Sequence, residues 1–192
     1  METNLCIALF GATGKMGSAL AKSLARGPYR LLLISGETSM LKGLQSEILM
    51  HLTHAAEAEA IKSLDDTQTE PDIFILAVSD IPEAEIVSEI KRSARGKIVI
   101  SMSGAKTGER ATHPISAEEL QKLLPDSKVV KALNTITIEN IKQPVYNGKQ
   151  VDSGISGNDE DAVKIVDRLV RTLGFNPIIE GRLSADRKPE NR

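Results

Sequence analysis

The residues best suited to chemistry are three glycines near the N-terminus, in the run Gly11-Ala-Thr-Gly14-Lys-Met-Gly17. The run lies between an apolar stretch that predicts a strand and an amphipathic stretch that predicts a helix. In such a turn the first glycine permits the tight bend, the second lets the backbone approach a diphosphate, and the third lets the helix pack on the strand. The N-terminus of the helix then directs N–H groups and a partial positive charge at phosphate oxygens. The predicted contacts to a dinucleotide are Gly11, Ala12, Thr13, Gly14, Lys15, Met16 and Gly17.

The spacing of these glycines separates two kinds of nucleotide site. It reads G-x-x-G-x-x-G rather than G-x-G-x-x-G, which indicates a variant of the dinucleotide turn. A P-loop for nucleoside triphosphates would continue with lysine followed by serine or threonine, and no such pair follows the motif. We therefore expect a dinucleotide and not a nucleoside triphosphate.

The end of the second predicted strand should distinguish NAD from NADP. There an acidic side chain accepts a hydrogen bond from the ribose 2′-hydroxyl of NAD, whereas cationic and hydroxyl groups bind the 2′-phosphate of NADP. The residues at this position are Ser35, Glu37, Thr38 and Ser39, with Lys42 about one turn later. Glu37 comes one or two positions late for the ribose contact, and the hydroxyls with the lysine suit a phosphate. The pattern favours NADP, and NAD stays open.

Candidate residues for the reacting end of the dinucleotide are few. His113, in the long connection 102–115, is placed where a substrate would pass, and histidine exchanges protons near neutral pH. Met102 and Asn134 come just beyond the ends of predicted strands, where ligands of open α/β sheets bind. We take His113 and Asn134 as candidate catalytic residues, and Met102 and Asn134 as candidate cofactor contacts. The alternatives are that His113 is a loop residue without a function, that Met102 packs in the core and that Asn134 caps a helix.

Other reaction types need spacings that the chain lacks. A short-chain dehydrogenase site needs a tyrosine four residues before a lysine, but Tyr146 and Lys149 are three apart. His51 and His54 stand at i, i+3, yet no cysteine or third ligand lies nearby to complete a metal site. We expect no metal. Cys6 belongs to a strand that is apolar on both faces, and we expect it to be a buried small hydrophobe.

The elements that position these residues alternate between short apolar runs and segments of helical period. This alternation predicts a Rossmann-like, doubly wound α/β fold, with a mainly parallel sheet of about seven or eight strands and helices on both faces. The predicted strands are Leu5–Phe10, Arg30–Ser35, an edge strand at Ala58–Ser63, Asp72–Val78, Lys97–Ser101, Lys128–Leu133, Val151–Ser156 and Asn176–Ile179. The predicted helices are Lys15–Arg26, the first part of 40–64, a helix starting in the capping box Ser116–Glu119, and one from Asn158 to Leu173.

Composition limits the class of molecule. Of 192 residues, 41% are hydrophobic and 26% are charged, which suits a single NAD(P)-binding domain over 1–192 with an apolar core. A net charge of −2 and 3% aromatic residues argue against nucleic acid as a partner. The apolar run 5–10 is too short to span a membrane, and a single cysteine suits a reducing compartment. We expect a cytoplasmic protein whose partners are small molecules.

Several stretches resemble one family, the NADP oxidoreductases that depend on coenzyme F420, a deazaflavin. The matching stretches are Gly11–Gly17, Asp72–Val78, Lys97–Ile100, Leu123–Thr135 and Gly157–Gly181. The resemblance extends over residues 4–187 and is carried mainly by order and spacing. Among these stretches the glycine motif is specific by itself.

The resemblance implies reversible hydride transfer between NADP(H) and a deazaflavin or flavin. It implies that Ser35 approaches the 2′-phosphate and that Asn134 stands near the side of hydride exchange. It also implies that Ala77, Val78 and Ser79 border the nucleotide. Such a transfer needs two rings stacked at close range and no obligatory acid or base, because the cofactors carry the chemistry. Relatives dimerise through further helices, and a homodimer stays open for this chain.

Two other functions remain open at this point. The glycine motif also suits a non-catalytic sensor of the NADP(H) redox state, since acid–base side chains are few and a fold does not dictate a function. It equally suits a dehydrogenase or reductase of a small carbonyl or imine, whose site a second subunit would close.

Overall fold

A mainly parallel sheet forms the centre of the molecule in the computed structural model, which describes residues 5–51, 57–78, 83–102 and 115–183. The strands, in chain order, are β1 (Cys6–Phe10), β2 (Arg30–Ile34), β3 (Glu57–Ile61), β4 (Ile73–Leu76), β5 (Ile98–Ser101), β6 (Lys128–Ala132), β7 (Val145–Tyr146), β8 (Lys149–Gln150), β9 (Asp152–Gly157) and β10 (Asn176–Gly181). Eight of them form one sheet in the spatial order β10-β9-β6-β5-β4-β1-β2-β3. Across the sheet, the neighbouring strands β3, β2, β1, β4, β5 and β6 are all parallel. β9 is antiparallel to β6, and β10 is parallel to β9.

Helices cover both faces of this sheet and explain why its strands are apolar on both sides. The helices are α1 (Lys15–Leu24), α2 (Thr38–His51), α3 (Glu83–Ile90), α4 (Ala117–Leu123), α5 (Ile138–Lys142) and α6 (Glu160–Thr172). We call the face packed by α1, α2, α5 and α6 the α1 face, and the face packed by α3 and α4 the α3 face. In β1, Ile7 and Leu9 point into the core of the α1 face, whereas Cys6, Ala8 and Phe10 point into the core of the α3 face.

The strand order reverses between β1 and β4, because the chain builds β2 and β3 outward from β1 and then returns to the other side of it. Ligands of open α/β sheets bind at such a switch point, outside the carboxyl ends of the strands. The turn that starts at Gly11 leaves β1 here, and Ala77 leaves β4 beside it. The Ala77 N–H donates to the Phe10 carbonyl over 3.1 Å. The topology therefore places the glycine motif where a ligand would bind.

The predicted α/β fold is confirmed, with eight strands in the sheet. The predicted edge strand is also found, as β3, at Glu57–Ile61 instead of Ala58–Ser63. Two helices, α3 and α5, are missing from the prediction. α5 starts in a capping box in which Thr137 and Asn140 take the places of the usual serine and glutamate, and this is a signal in the sequence.

The hairpin of β7 and β8 was not predicted either, although its turn has a clear sequence signal. Asn147 and Gly148 have φ angles of 49° and 73°, and two left-handed residues in succession are what a type I′ hairpin turn requires. Tyr146 pairs with Lys149 across this hairpin, and both are exposed. The two residues are thus joined by a turn on the surface.

Candidate functional site: a dinucleotide cradle

The turn after β1 is shaped by close backbone contacts. Gly11 has a φ of +76°, in the left-handed region that favours glycine. The N–H groups of Gly11 and Ala12 both donate to the Ile34 carbonyl, over 3.0 and 3.1 Å. A Cβ atom at Gly11 would stand 2.3 Å from the carbonyl oxygen of Ala77. The turn is therefore fixed to β2 on one side and to the end of β4 on the other.

The other two glycines of the motif have different tasks. A Cβ atom at Gly17 would lie 2.0 Å from the Gly11 carbonyl oxygen, so that the third glycine lets α1 approach the turn itself. Gly11 follows β1 directly, so that this contact brings α1 close to the end of the strand, as the spacing predicted. A Cβ atom at Gly14 would meet that same oxygen at 3.2 Å and nothing else within 4 Å among the described residues. Gly14 is exposed, and the open space above it is the volume that a side chain would fill.

The N-terminus of α1 faces this open space. Gly14 is its N-cap, no side chain caps it, and its first turn contains no acidic residue. The turn is closed internally by the Gly14 N–H, which donates to the Gly11 carbonyl over 3.0 Å. Because the first N–H groups of a helix have no partners within the helix and carry a partial positive charge, an anion is stabilised here. The residues present fit a diphosphate.

The side chains of the motif contribute less than its backbone. Ala12 and Met16 are buried in the core of the α1 face, so that only their backbone can reach a ligand. Lys15 is exposed at the start of α1, and Thr13 is half-buried. The structure thus brings the predicted contacts together around one turn, and most of them have only their main chain available to a ligand.

Ser35 is attached directly to this turn. Its hydroxyl forms a 2.5 Å hydrogen bond with the hydroxyl of Thr13 and accepts from the Glu37 N–H over 3.3 Å. The Glu37 carbonyl accepts from the Leu41 N–H over 3.0 Å, so that the backbone of Glu37 caps α2 while its side chain is exposed. The bond between Thr13 and Ser35 was not predicted from the sequence. Its signal was a hydroxyl in the connection that follows each of two strands, which the fold places side by side.

The N-terminus of α2 lies next to Ser35. Thr38 and Ser39 form the start of this helix, both are exposed, and its first turn contains no acidic residue. Lys42 follows on the same helix and is also exposed. Hydroxyl groups at a helix N-terminus with a lysine nearby suit an anionic group. The predicted NADP residues are thus neighbours on one rim of the sheet.

The predicted contacts beyond β4 and β5 differ in what they expose. Ala77 and Val78 are half-buried beside the glycine turn, and a Cβ atom at Gly11 would come within 3.0 Å of the Val78 side chain. Met102 follows β5, but its side chain is buried in the core of the α1 face, which leaves its backbone to border a ligand. Ser79 and His113 lie outside the described residues, as does His54.

Asn134 follows β6 after a residue of unusual conformation. Leu133 is buried and has a φ of 59°, which is uncommon for a residue other than glycine. The Ile136 N–H donates to the Leu133 carbonyl over 3.3 Å and closes a turn at the strand end. Asn134 is half-buried within this turn. It therefore lies at the carboxyl end of β6, on the same rim as the glycine turn.

Cys6 and possible metal ligands were the other candidate groups. Cys6 is buried, and burial raises the pKa of its thiol to about 11, with the Arg30 charge acting in the opposite direction. The thiol is protonated at neutral pH, and its predicted place as a buried small hydrophobe is confirmed. In residues 5–51, 57–78, 83–102 and 115–183, no three histidine, cysteine or acidic side chains form a cluster able to hold a metal. The same residues contain no helix with the length and apolarity to cross a membrane.

The switch-point turn, the space over Gly14 and the uncapped end of α1 define the class of Rossmann dinucleotide-binding proteins. Residues 6–104, more than half of the chain, match the family described as NADP oxidoreductase coenzyme F420-dependent. The chain belongs to this family, and the resemblance seen in its sequence is confirmed.

Individual relatives agree with this assignment. The chain is 28% identical to the F420-dependent NADP reductase of Methanocaldococcus jannaschii, over 94% of this chain and 86% of that protein. A hypothetical protein from Sinorhizobium meliloti has a similar structure, with a TM-score of 0.66 at 25% identity over 97% of this chain and 88% of that one. A protein from Arthrobacter sp. FB24, described as a candidate F420-dependent NADP reductase, has a TM-score of 0.69 at 20% identity, over 96% and 87% of the two chains. At that identity the last comparison supports the fold alone.

Proposed function

We propose that this protein transfers hydride reversibly between NADP(H) and a deazaflavin or flavin-type acceptor. The observation that carries the proposal is the cradle at Gly14, where a Cβ atom would enter the space that a diphosphate needs. Family membership supports the choice of NADP and of a deazaflavin as the two reactants. When bound, NADPH supplies the hydride, and the acceptor ring takes it up together with a proton from water.

The proposed role of the residues around the glycine turn is to bind and orient the dinucleotide. The backbone from Gly11 to Gly17 would hold the diphosphate at the positive end of α1. Ser35, Thr38 and Ser39 would hold the 2′-phosphate, since they form a hydroxyl-rich rim without an acid in the first turn of α2. The Glu37 side chain is exposed, and we expect it to stay in solvent.

On the acceptor side, the chain positions two rings and needs to supply little else. The half-buried Ala77 and Val78 would support the nicotinamide end, beside the glycine turn. Asn134, at the end of β6, would border the side of hydride exchange and is our candidate for a catalytic contact. Because stacking at close range is sufficient for hydride transfer between such rings, a site with few acid–base groups is consistent with the reaction.

The test is an acceptor screen with the purified full chain. NADPH would be mixed with coenzyme F420, with FMN or with riboflavin, and the loss of the nicotinamide absorbance band followed. We expect turnover with the deazaflavin and slower turnover with flavins. NADPH that binds tightly but is not oxidised by any acceptor would contradict the proposal and favour a non-catalytic sensor of NADP(H).

A third function, the reduction of a small carbonyl or imine, is tested by adding such substrates to the same screen. Turnover with such a substrate, and none with a deazaflavin, would replace the proposed acceptor. The ratio of the dissociation constants for NADP and NAD, measured by calorimetry, tests the choice of dinucleotide independently of the acceptor.

The proposal also takes residues 1–192 as one NAD(P)-binding domain acting in the cytoplasm. Strands from both ends of the chain, β1 and β10, belong to one sheet, which supports a single domain. A homodimer is part of the proposal too. Sedimentation of the full chain at two concentrations, with and without NADP, would detect it.

A further inference from the structure

A row of residues crosses the sheet at the carboxyl ends of the parallel strands, on the α3 face, and changes character halfway. Adjacent strands place these residues side by side in the order Ile34, Phe10, Leu76, Ser101, Lys131 and Ser156. We call them the rim row. The row is apolar from β2 to β4 and polar from β5 to β9. The row one layer below is apolar throughout, with Leu32, Ala8, Phe74, Val99 and Val129 in register.

The alternation of strand side chains fixes which face the polar part occupies. Val129 packs in the core of the α3 face, so that Lys131, two residues further along β6, points to the same face. Ile155 packs in the core of the α1 face, so that its neighbour Ser156 points to the α3 face. Lys131 and Ser156 are direct partners across the antiparallel pair of β6 and β9. Such partners have Cβ atoms about 5 Å apart.

The burial of these groups is unusual for their chemistry. Ser101 and Ser156 are each 1% exposed, and Lys131 is half-buried between them. The Ser156 hydroxyl has no hydrogen-bond partner. A buried hydroxyl without a partner destabilises the folded state, which is why such groups are rare unless a ligand or water completes them. An oxygen of a bound ligand beside Lys131 would satisfy the Ser156 hydroxyl and meet the ammonium group together.

A buried hydroxyl without a partner does not by itself distinguish Ser156, because Ser153 has one too. Ser153 is on the same strand and is fully buried. It points to the opposite face, like Ile155, where its strand partner on β10 is Pro177. Ser156 differs because a cation is its direct neighbour and because Lys131 lies at the rim where ligands of such sheets bind.

Within the described part of the chain, the Glu180 carboxylate limits the direction from which an anion can approach Lys131. A Cβ atom at Gly154 would lie within 2.7 Å of the Glu180 carboxylate, which therefore lies over Gly154 on the face shared with Ser156. This carboxylate is diagonal to Lys131, and it would repel an anion that approached from β10. A negatively charged group is accordingly expected to reach Lys131 from the side of β5 and Ser101.

We propose that Ser101, Lys131 and Ser156 form a subsite for an anionic group, a phosphate or carboxylate, carried by the hydride acceptor. The subsite rests on the proposed function, because it assigns the second substrate to the half of the sheet that the dinucleotide cradle leaves open. The glycine turn follows β1, and the row is apolar at β1 and β4, so that the two anion-binding regions are separate. Lys131 and Ser156 determine which acceptors bind and are not catalytic residues.

The test compares acceptors that differ in charge, on the full chain saturated with NADP. The first pair is FMN and riboflavin, and the second is a deazaflavin with a phosphorylated side chain and the same deazaflavin without one. Calorimetry would give dissociation constants, which need no turnover. We expect the charged member of a pair to bind more tightly. Lys131→Met should weaken its binding about tenfold or more and change the neutral member less than about twofold, because an ion-assisted hydrogen bond is lost.

Matched variants separate this role from a structural one. Lys131→Arg should restore most of the affinity for the charged acceptor. Lys128→Met makes the same chemical change at the other end of β6, where Lys128 pairs with Asp159 at 3.2 Å, and should leave acceptor binding unchanged. Ser156→Ala should weaken binding of the charged acceptor and leave the melting temperature unchanged or higher, since it removes an unsatisfied hydroxyl. Ser153→Ala should leave acceptor binding unchanged.

Glu180→Gln provides a change of opposite sign. Removing its charge should tighten binding of the charged acceptor and leave the neutral one unaffected. The subsite is overturned if neither charged acceptor binds more tightly than its neutral counterpart, if Lys131→Met weakens both members equally, or if it weakens NADP as much as the acceptor. If Lys131→Met left turnover with the charged acceptor unchanged, that result would contradict the subsite alone. Charge-dependent binding without NADPH oxidation by any acceptor would contradict the proposed function alone.

Discussion

The two halves of the sheet present different chemistry along one rim. In the half made of β1, β2 and β4, the rim row is apolar, and the polar groups are backbone groups of the glycine turn and of the uncapped N-terminus of α1. In the half made of β5, β6 and β9, the polar groups at the rim are side chains, with a lysine between two buried serines. At the helix N-termini, α1 has no side-chain cap, whereas α4, α5 and α6 are capped by side chains.

This difference indicates how one fold can bind one ligand through backbone groups and a second ligand through side chains that substitutions can change. A backbone cradle depends on the absence of side chains, since a Cβ atom at Gly11 or Gly17 would clash with backbone atoms. A row of side chains can be changed one position at a time without altering the strands. The match to the family over residues 6–104 includes the cradle, whereas Lys131 and Ser156, to which we assign acceptor preference, lie beyond it.

The largest effect is expected for Gly17→Ala, which tests whether the first half depends on missing side chains. The new Cβ would lie 2.0 Å from the backbone oxygen of Gly11, and neither backbone can give way easily. We expect a loss of about 3 kcal/mol in the free energy of unfolding, measured by urea denaturation. Gly43→Ala is the control, because this helical glycine has nothing within 4 Å and the change should stabilise by about 1 kcal/mol. Equal behaviour of the two variants would contradict the close packing of helix and turn.

Gly14→Val separates binding from folding within the same motif. Its Cβ would meet the Gly11 oxygen at 3.2 Å and otherwise enter open space, so that stability should change by less than about 1 kcal/mol. The diphosphate loses its space, and the dissociation constant for NADP should rise about 100-fold, equivalent to about 2.7 kcal/mol. Calorimetric titration with NADP checks this. Unchanged affinity in a folded variant would show that the diphosphate binds elsewhere.

Ser35→Asp tests the side-chain contribution to the first half. A carboxylate would repel the 2′-phosphate and accept from the 2′-hydroxyl, and the preference should move toward NAD by about tenfold. Ser35→Ala removes the hydroxyl and its bond to Thr13 without adding charge, and it should weaken NADP more than NAD but shift the preference less than Ser35→Asp does. The ratio of the two dissociation constants is the measurement. A ratio that is the same in wild type and Ser35→Asp would remove Ser35 from the site.

The smallest effect concerns the capping of α6 in the second half. The Asp159 carboxylate accepts from the Ala162 N–H over 2.8 Å, which is the first cause of its lowered pKa, ahead of its hydrogen bond with Lys128. Asp159→Ala should cost about 1 kcal/mol in stability at neutral pH. Because the folded pKa is lowered, this stabilisation is present above the unfolded pKa and is lost as the pH falls through the folded pKa.

Denaturation at neutral and acidic pH would measure that loss. Asp159→Asn is the matched control, since asparagine caps a helix without a charge, and it should keep most of the stability while losing the pH dependence. A cost of Asp159→Ala that stays constant into acid would show that the carboxylate is not the stabilising group.

The strands were predictable because each has a local signal. β1, β2, β4, β5 and β6 are short apolar runs, and the structure places each within one or two residues of its predicted bounds. The hairpin at Asn147-Gly148 and the capping box of α5 had local signals too, and the prediction overlooked them. Leu133 had none, because a left-handed leucine is held in place by its surroundings and not by its own preference.

The candidate site divides in the same way. The glycine turn is contiguous in the chain, so that its spacing alone indicated a dinucleotide. The bond between Thr13 and Ser35, and the approach of Gly11 to Ala77, join residues that are distant in the sequence. For Met102 the sequence predicted a ligand contact from its place after a strand, and the register of β5 directs its side chain into the core and leaves its backbone to make that contact.

The sequence by itself determined the alternation of strands and helices, the position of the dinucleotide turn and the family, because each depends on neighbouring residues and on the conformational freedom of glycine. Only the tertiary structure decided which distant residues stand side by side. The register of β5, β6 and β9 brings Ser101, Lys131 and Ser156 into one row, and β9 joins it by running antiparallel to β6. Strand register is set by packing across the whole sheet, and no single segment carries that information.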